Sequence, residues 1–255
     1  MKTITLLAAS AIVILLAAQL RAAQVTVFAA ASLTESLRQI AADYQKVSGD
    51  TIVFNFGASG TLSRQIEAGA PADVFFAADE AKADALEKKG LLVRGTRTSW
   101  LGNSLVIVTT PENLTLHAPT DLTNATVQHL ALGDVKIVPA GTYAKAYLEK
   151  LAIWSAVEPK VVPCENVRAV LAAVESGNVD AGVVYKTDAA ISQKVKVAYE
   201  VPIADSPKIT YPLALVKDAP QPEAAKKFIA YLATAGATKV FQQFGFIVLE
   251  AAAAK

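Results

Sequence analysis

Short apolar runs alternate with segments of helical periodicity along most of the chain, and small residues fill the turns between them. In the N-terminal third, this strand-then-helix order repeats, and the helical segments end at Gly49, Gly69 and Gly90, because glycine favours the left-handed conformation that often ends a helix. Such alternation predicts an α/β fold built on a parallel sheet. The predicted elements of this first set are strand 25–28, helix 33–47, strand 52–56, a short helix beginning near residue 62, strand 74–76 and helix 80–89.

A second set of alternating elements follows, between two long apolar runs at 105–108 and 211–216. Two helical segments, 223–232 and 238–244, come last and have no strand of their own, so we expect them to cover the first set. The predicted elements of the second set are strand 130–132, helix 142–151, strand 161–162, helix 167–175 and strand 181–185.

These two sets predict two α/β lobes joined by two crossing strands, near residues 102–108 and 211–216. In this division lobe I is discontinuous and consists of residues 24–102 and 213–255. Residues 103–212 form lobe II.

The N-terminus has the three-part layout of a secretory signal peptide: Lys2, an apolar run over residues 4–16, and the small pair Ala22-Ala23. A transmembrane anchor is the alternative, but the run is shorter than the roughly 20 residues that a spanning helix needs. We therefore predict a cleavable signal peptide over residues 1–23 and a protein exported to the periplasm. No cysteine lies near the cleavage region, which disfavours a lipid anchor.

The composition excludes several classes of function. Charged residues make up 18% of the chain and hydrophobic residues 53%, which excludes a disordered protein. The net charge of +1 provides no basic excess for binding nucleic acid. Cys164 is the one cysteine, so no internal disulfide forms, and we expect it to be buried without a functional role. His117 and His129 form no zinc-binding pattern and provide no base near a glycine-flanked serine.

Two serines follow predicted strands at the point where a helix begins. Ser32 precedes the first helix, and Ser59 lies between Gly57 and Gly60 in the next turn. In α/β folds ligands bind at the carboxyl ends of strands, where free N–H groups at helix starts form an anion site. However, serine is also a common N-cap, and Ser32-x-x-Glu35 has the pattern of a capping box. The pattern alone leaves both interpretations open.

Lobe II offers similar candidates. Ala140 lies in the turn that opens a helix, Val167 begins another helix, and Tyr185 ends a strand. Backbone N–H groups of the first two and the phenol of the third would face a cleft. Each position also has a purely structural interpretation: an ordinary turn, a core valine and a core tyrosine.

Together these segments resemble the periplasmic molybdate-binding proteins of bacterial molybdate ABC transporters. The similarity spans roughly residues 25–247, and the number and order of its motifs make it specific. The matching stretches are VFAAASLT at 27–34, GASGTL at 57–62, RQIEAGAPADVF at 64–75, LGNSLV at 101–106, PAGTYAK at 139–145, ENVR at 165–168 and GVVYKTD at 182–188.

The resemblance implies a two-lobed, type II periplasmic-binding-protein fold that closes on one tetrahedral oxyanion, molybdate or tungstate. It implies a monomer without a cofactor or a directly ligated metal, and a molybdate ABC permease of the inner membrane as partner. Family members often have a serine-rich second turn, whereas Ser59 is here flanked by alanine and glycine, so Thr61 becomes a possible helper. The ligand positions carried over by motif are Ser32, Ser59, Ala140, Val167 and Tyr185.

Three other functions are compatible with parts of this sequence. A receptor for sulfate or another tetrahedral oxyanion would use the same donors. A secreted serine hydrolase is remote, because the sequence lacks a Gly-x-Ser-x-Gly elbow with a nearby histidine. An adhesion or assembly module would bind no small molecule. The protein is thus expected to be a binding protein rather than an enzyme.

Overall fold

A computed structural model describes residues 22–113 and 115–249. The predicted signal peptide therefore lies outside the described residues except at Ala22 and Ala23, and so does the alanine-rich end at 251–254. Within the described ranges, no helix combines the length and apolar character needed to cross a bilayer.

Lobe I is a six-stranded sheet with the helices packed on it, in the strand order β11-β4-β10-β3-β1-β2. Central strand β1 pairs in parallel with β2 and β3, with Val27 opposite both Phe54 and Val74. Almost all of β1 is buried because helices cover both faces of the sheet. The strands are β1 (Gln24–Ala30), β2 (Thr51–Gly57), β3 (Val74–Phe76), β4 (Thr98–Gly102), β10 (Thr210–Leu215) and β11 (Ile247–Val248).

The helices of lobe I come from both ends of the chain. The two C-terminal helices pack against α1, β1 and β10, as expected for helices without a strand of their own. Tyr44 of α1 meets Phe228 at 5.2 Å between ring centroids. The helices of lobe I are α1 (Thr34–Ser48), α2 (Ser59–Glu67), α3 (Glu80–Lys88), α8 (Pro222–Leu232) and α9 (Ala235–Gln243).

Lobe II is a five-stranded sheet in the order β7-β6-β8-β5-β9, with its own helices. Its strands are β5 (Leu105–Thr109), β6 (Leu130–Gly133), β7 (Val161–Cys164), β8 (Ala181–Tyr185) and β9 (Lys196–Glu200). Its helices are α4 (Pro139–Lys150), α5 (Trp154–Val157), α6 (Val167–Glu175) and α7 (Lys186–Ala190). Cys164, expected to be buried, is only partly buried.

Both sheets are mixed, so the prediction of a parallel sheet was right only for the strands joined by crossover helices. In lobe I, β10 runs antiparallel to β3 and β4. In lobe II, β5 runs antiparallel to β8 and β9. Strand β11 also pairs antiparallel, with β4. Strands β5 and β10 are the first strands after the chain has passed from one lobe to the other. They are not bound by the crossover geometry that makes successive strands parallel.

The chain crosses between the lobes twice. The first crossing is the pair Asn103-Ser104 between β4 and β5, and the second is segment 201–209 between β9 and β10. The two-lobed α/β architecture thus agrees with the prediction. The exact limits of the lobes stay a prediction; β10 begins at Thr210, three residues before the predicted limit at 213.

The N-terminus of α4 packs directly on the end of β6, through two glycines. A Cβ atom added at Gly141 would lie 1.8 Å from the carbonyl oxygen of Gly133. This close approach brings the first turn of α4 to the edge of the cleft between the lobes.

We predict that Gly141→Ala destabilises the protein by about 3 kcal/mol, because backbone atoms have to move to admit the methyl group. Thermal melting in the absence of ligand measures this effect. Gly236→Ala in α9 is the control, since its nearest neighbour would be 3.9 Å from the new Cβ atom. Equal melting temperatures for Gly141→Ala and the wild-type protein would refute the close packing of α4.

Candidate functional site

All five residues predicted for the site line one small cavity between the lobes. The cavity has room for about one water molecule, so its size suits a single small ion and not a sugar or a peptide. The lining residues are Ala30, Ala31, Ser32, Gly57, Ala58, Ser59 and Ala78 from lobe I, and Val138, Pro139, Ala140, Asn166, Val167 and Tyr185 from lobe II. None of these side chains is charged.

Of the two interpretations left open for Ser32, the structure rules out the capping box. Ser32 lies inside a short 3-10 turn, Ala31–Leu33, and no side chain caps this turn or the helix α1 that follows. Its hydroxyl instead lies 3.0 Å from the phenol oxygen of Tyr211. Glu35, the other half of the predicted box, pairs with Arg168 of α6. The tertiary partners thus replace the local cap.

Ser59 is not a cap either. It is the first residue of α2, and Ala58 is the N-cap residue. The Oγ atom of Ser59 accepts a hydrogen bond of 2.9 Å from the N–H of Ala78, which follows β3. Because this bond occupies an acceptor position of the oxygen, the hydroxyl hydrogen is left to be donated elsewhere. The Ser59 side chain is completely buried.

Ala140 contributes a backbone donor rather than a side chain. Pro139 occupies the first position of α4 and has no N–H, so Ala140 carries the first N–H of the helix. N–H groups in the first turn have no partner within the helix. Ala140 is almost completely buried, and therefore its N–H needs a partner other than bulk water.

Val167 is the first residue of α6 and, like Ala140, carries the first N–H group of its helix. Asn166 caps this helix by accepting hydrogen bonds from the N–H groups of Arg168 (2.9 Å) and Ala169 (3.0 Å). The cap leaves the N–H of Val167, at the helix start, without an intrahelical partner. The cap thus supports the helix end and directs a single donor to the cavity.

Tyr185 ends β8, and its hydroxyl group is buried without a hydrogen-bond partner among the described residues. Burial, together with coulombic repulsion from the nearby acidic groups of Tyr211 and Asp188, raises the pKa of this phenol well above its ordinary value. The phenol therefore keeps its proton and remains a donor. A buried unpaired phenol is costly, so a ligand that accepts its proton would remove that cost.

Charged groups lie behind the cavity wall, where one guanidinium faces two carboxylates. Arg168 Nε lies 2.9 Å from the Oδ1 atom of Asp188, and the same guanidinium pairs with Glu35. Burial raises the pKa of Asp188 to about 6, although the Arg168 guanidinium opposes that shift. With two carboxylates as partners, Arg168 has no net positive charge to spare for a ligand.

Several contacts join the lobes beside the cavity. The N–H of Gly60 in α2 donates to the carbonyl oxygen of Ile137, just before α4, at 3.0 Å. Arg168 in α6 reaches across to Glu35 and to the carbonyl oxygen of Ser32, 3.3 Å away. The lobes are therefore in contact in this structure, which describes a closed cleft.

Three residues that support the cavity wall were not predicted from the sequence: Asn103, Arg168 and Tyr211. Asn103 and Arg168 lie inside stretches that carry the family resemblance, but no periodicity or turn pattern distinguished them. Tyr211 lies in an apolar strand, and the pattern of that strand indicates no role at the site. Conversely, Thr61, the possible helper, lines a neighbouring groove with Gln65 and Glu165 instead of the central cavity.

Comparison with known proteins agrees with this geometry. Residues 25–247 match the family model described as bacterial extracellular solute-binding protein. The molybdate-binding protein ModA of Escherichia coli is 40% identical over 88% of this chain and 89% of its own. A putative ABC transporter substrate-binding lipoprotein of Bacillus subtilis, YvgL, is 42% identical over 87% and 85% of the two chains.

The fold has a solved counterpart. The periplasmic molybdate-binding protein of Azotobacter vinelandii superposes with a TM-score of 0.80 at 23% identity, over 89% of this chain and 100% of its own, which confirms the predicted fold class. These relatives are solute-binding transport proteins and not enzymes. The chain belongs to the family of bacterial extracellular solute-binding proteins.

Proposed function

We propose that this protein is a periplasmic solute-binding protein that captures molybdate, and tungstate as well, between its lobes and delivers the ion to an ABC permease of the inner membrane. One observation carries the proposal: five uncharged donor groups from both lobes surround a cavity on the scale of one small ion. The Escherichia coli and Azotobacter relatives are both molybdate-binding proteins, which supports this choice of ion.

The donors suit a doubly charged oxyanion. Ser32, Ser59 and Tyr185 would donate through hydroxyl groups, and Ala140 and Val167 through backbone N–H groups. A hydrogen bond to a charged acceptor contributes about 1.5–3 kcal/mol, so several together offset the loss of the ion's hydration shell. Helices α2, α4 and α6 also begin at the cavity, and the positive ends of their dipoles favour an anion.

The lining also favours oxyanions that carry no proton. No carboxylate faces the cavity. A protonated ion such as hydrogen phosphate needs an acceptor for its own O–H, and an acceptor-poor cavity leaves that group unpaired. Molybdate, tungstate and sulfate satisfy this condition, and the size of the cavity is left to discriminate between them.

Closure and export complete the proposal. The contacts of Gly60 and Arg168 across the cleft would form when the lobes close on the ion, and the closed form would be the one that the permease recognises. The predicted signal peptide, residues 1–23, would direct export and then be removed. The mature protein, with 22 basic and 23 acidic residues, would be a nearly neutral monomer in the periplasm.

Calorimetric titration of the mature protein with molybdate, tungstate, sulfate and phosphate tests the proposal. We expect molybdate and tungstate to bind at least tenfold more tightly than the other two. Loss of one hydroxyl donor in Ser32→Ala or Ser59→Ala should weaken molybdate binding about 10- to 100-fold.

Ser36→Ala is the matched control, because Ser36 is also buried but donates to the carbonyl oxygen of Leu33, outside the cavity. Its affinity for molybdate should equal that of the wild-type protein. Sulfate or phosphate binding as tight as molybdate binding would overturn the proposed specificity. A large loss of stability in the ligand-free serine variants would assign these hydroxyls a structural role instead.

A second prediction concerns closure. A Cβ atom at position 60 would lie 2.5 Å from the carbonyl oxygen of Ile137 in the other lobe. Gly60→Ala should therefore weaken molybdate binding about tenfold or more while leaving the melting temperature of the ligand-free protein unchanged, since the clash exists only when the cleft is closed.

Titration and melting of Gly60→Ala beside the Gly236→Ala control measure both quantities. Unchanged affinity would show that closure does not bring α2 against Ile137 when the ion binds. An equal loss of stability and affinity would show that residue 60 matters for folding rather than for closure.

A further inference from the structure

The hydroxyl group of Ser32 ends a buried chain of hydrogen bonds that begins at the crossing between the lobes. Asn103 Nδ2 lies 3.1 Å from the phenol oxygen of Tyr211, which lies 3.0 Å from Ser32 Oγ. Tyr211 is fully buried, and Asn103 and Ser32 are nearly so. Tyr211 does not line the cavity itself. Among the described residues, its one hydrogen bond to a residue that lines the cavity is the bond to Ser32.

The direction of this chain follows from its first residue. Asn103 Oδ1 accepts the N–H of Ser104 at 2.9 Å, which places the amide nitrogen toward Tyr211 and toward Thr187, 2.9 Å away. An amide nitrogen only donates, so the phenol oxygen of Tyr211 is the acceptor. Among the described residues, the proton of this phenol has Ser32 Oγ as its one acceptor within hydrogen-bond distance.

With the Tyr211 phenol as the donor to Ser32 Oγ, the hydroxyl of Ser32 has its own hydrogen to offer to a ligand. With an acceptor position of its oxygen occupied by Tyr211, the hydroxyl of Ser32 turns its own hydrogen toward the cavity. A hydroxyl that accepts one hydrogen bond is also a stronger donor in the next. Ser59 has the same arrangement, with the N–H of Ala78 in the place of Tyr211. In both serines, a hydrogen bond from a group outside the cavity occupies an acceptor position of the oxygen, so the hydroxyl hydrogen is left for the cavity.

We propose that Tyr211 is a specificity-determining residue, which holds Ser32 as a donor and so makes the cavity select oxyanions that carry no proton. The inference rests on the proposed function and adds to it the residue that enforces the rejection of protonated ions. Without the phenol, Ser32 Oγ is free to accept a hydrogen bond from the O–H of a hydrogen phosphate or hydrogen arsenate ion. Tyr211 is a positioning residue and touches no ligand.

Tyr211→Phe tests the proposal, because it removes one oxygen and keeps the ring that packs on Phe246 at 5.5 Å and Tyr185 at 5.9 Å between centroids. We expect molybdate to bind about tenfold more weakly, and hydrogen phosphate and hydrogen arsenate to bind equally well or better. The ratio of molybdate to phosphate affinity should fall about tenfold or more. Competition titrations against bound molybdate at pH 8 measure this ratio.

Two further variants make the test specific. Tyr44→Phe in the same lobe also loses a buried phenol, which donates to Asp50 at 3.2 Å far from the cavity, and should leave the ratio unchanged. In a Ser32→Ala background, Tyr211→Phe should have no further effect on the ratio, because the two residues act in series. Should Tyr211→Phe not fold, Asn103→Ala removes the donor behind the phenol, and the ratio should fall in the same direction.

The outcomes separate this proposal from the function on which it rests. If the wild-type protein does not bind molybdate, the proposed function fails. If the wild-type protein binds molybdate and Tyr211→Phe folds with an unchanged ratio, the role of Tyr211 is refuted and the proposed function stands. A fall in the ratio that persists in the Ser32→Ala background would also refute the chain through Ser32.

Discussion

The structure depends on hydrogen-bond donors that are neutral, buried and held at the starts of helices on both sides of one cleft. Ser59, Ala140 and Val167 each lie in the first turn of a helix, where N–H groups have no partner within the helix. A buried donor without a partner costs about 1–3 kcal/mol, and the phenol of Tyr185 adds another. An acceptor-rich ion bound between the lobes would remove these costs together.

The cationic side chain next to the site does not take part in this set of donors, because carboxylates bind it elsewhere. Arg168 is adjacent to Val167 in sequence, yet its guanidinium pairs with Asp188 and Glu35 behind the cavity wall. Asn103 lies at the first crossing and bonds to Thr187 and Tyr211, which belong to different lobes. Asn103 and Arg168 thus connect the lobes and also support the residues around the donors. The proposed closure on an ion would involve the same contacts.

More of the fold than of the site could be predicted from the sequence. Helix 167–175 and strands 74–76 and 181–185 have the predicted limits, because apolar periodicity and glycine stops are local signals. The antiparallel strands β9 and β11 were missed, since their residues are half exposed and lack a clear apolar pattern. Strand β4 was missed as well. Its pairing with β10 joins residues more than a hundred positions apart, which no local pattern records.

For the site, turn chemistry and the resemblance predicted the five residues that line the cavity, but not what holds them. The capping box of Ser32 and Glu35 failed because each side chain finds a partner far away in sequence, Tyr211 and Arg168. The first pairing lies within lobe I and the second joins the two lobes, and both link residues more than a hundred positions apart, for which a single sequence contains no period. Supporting residues of this kind become visible only in three dimensions.

A crystal structure of the mature protein grown with molybdate tests the central claim most directly. It should show one ion in the cavity between the lobes, with its oxygens within about 3 Å of the hydroxyls of Ser32, Ser59 and Tyr185 and of the N–H groups of Ala140 and Val167. An ion bound elsewhere, or held mainly by lysine or arginine side chains, would contradict the account.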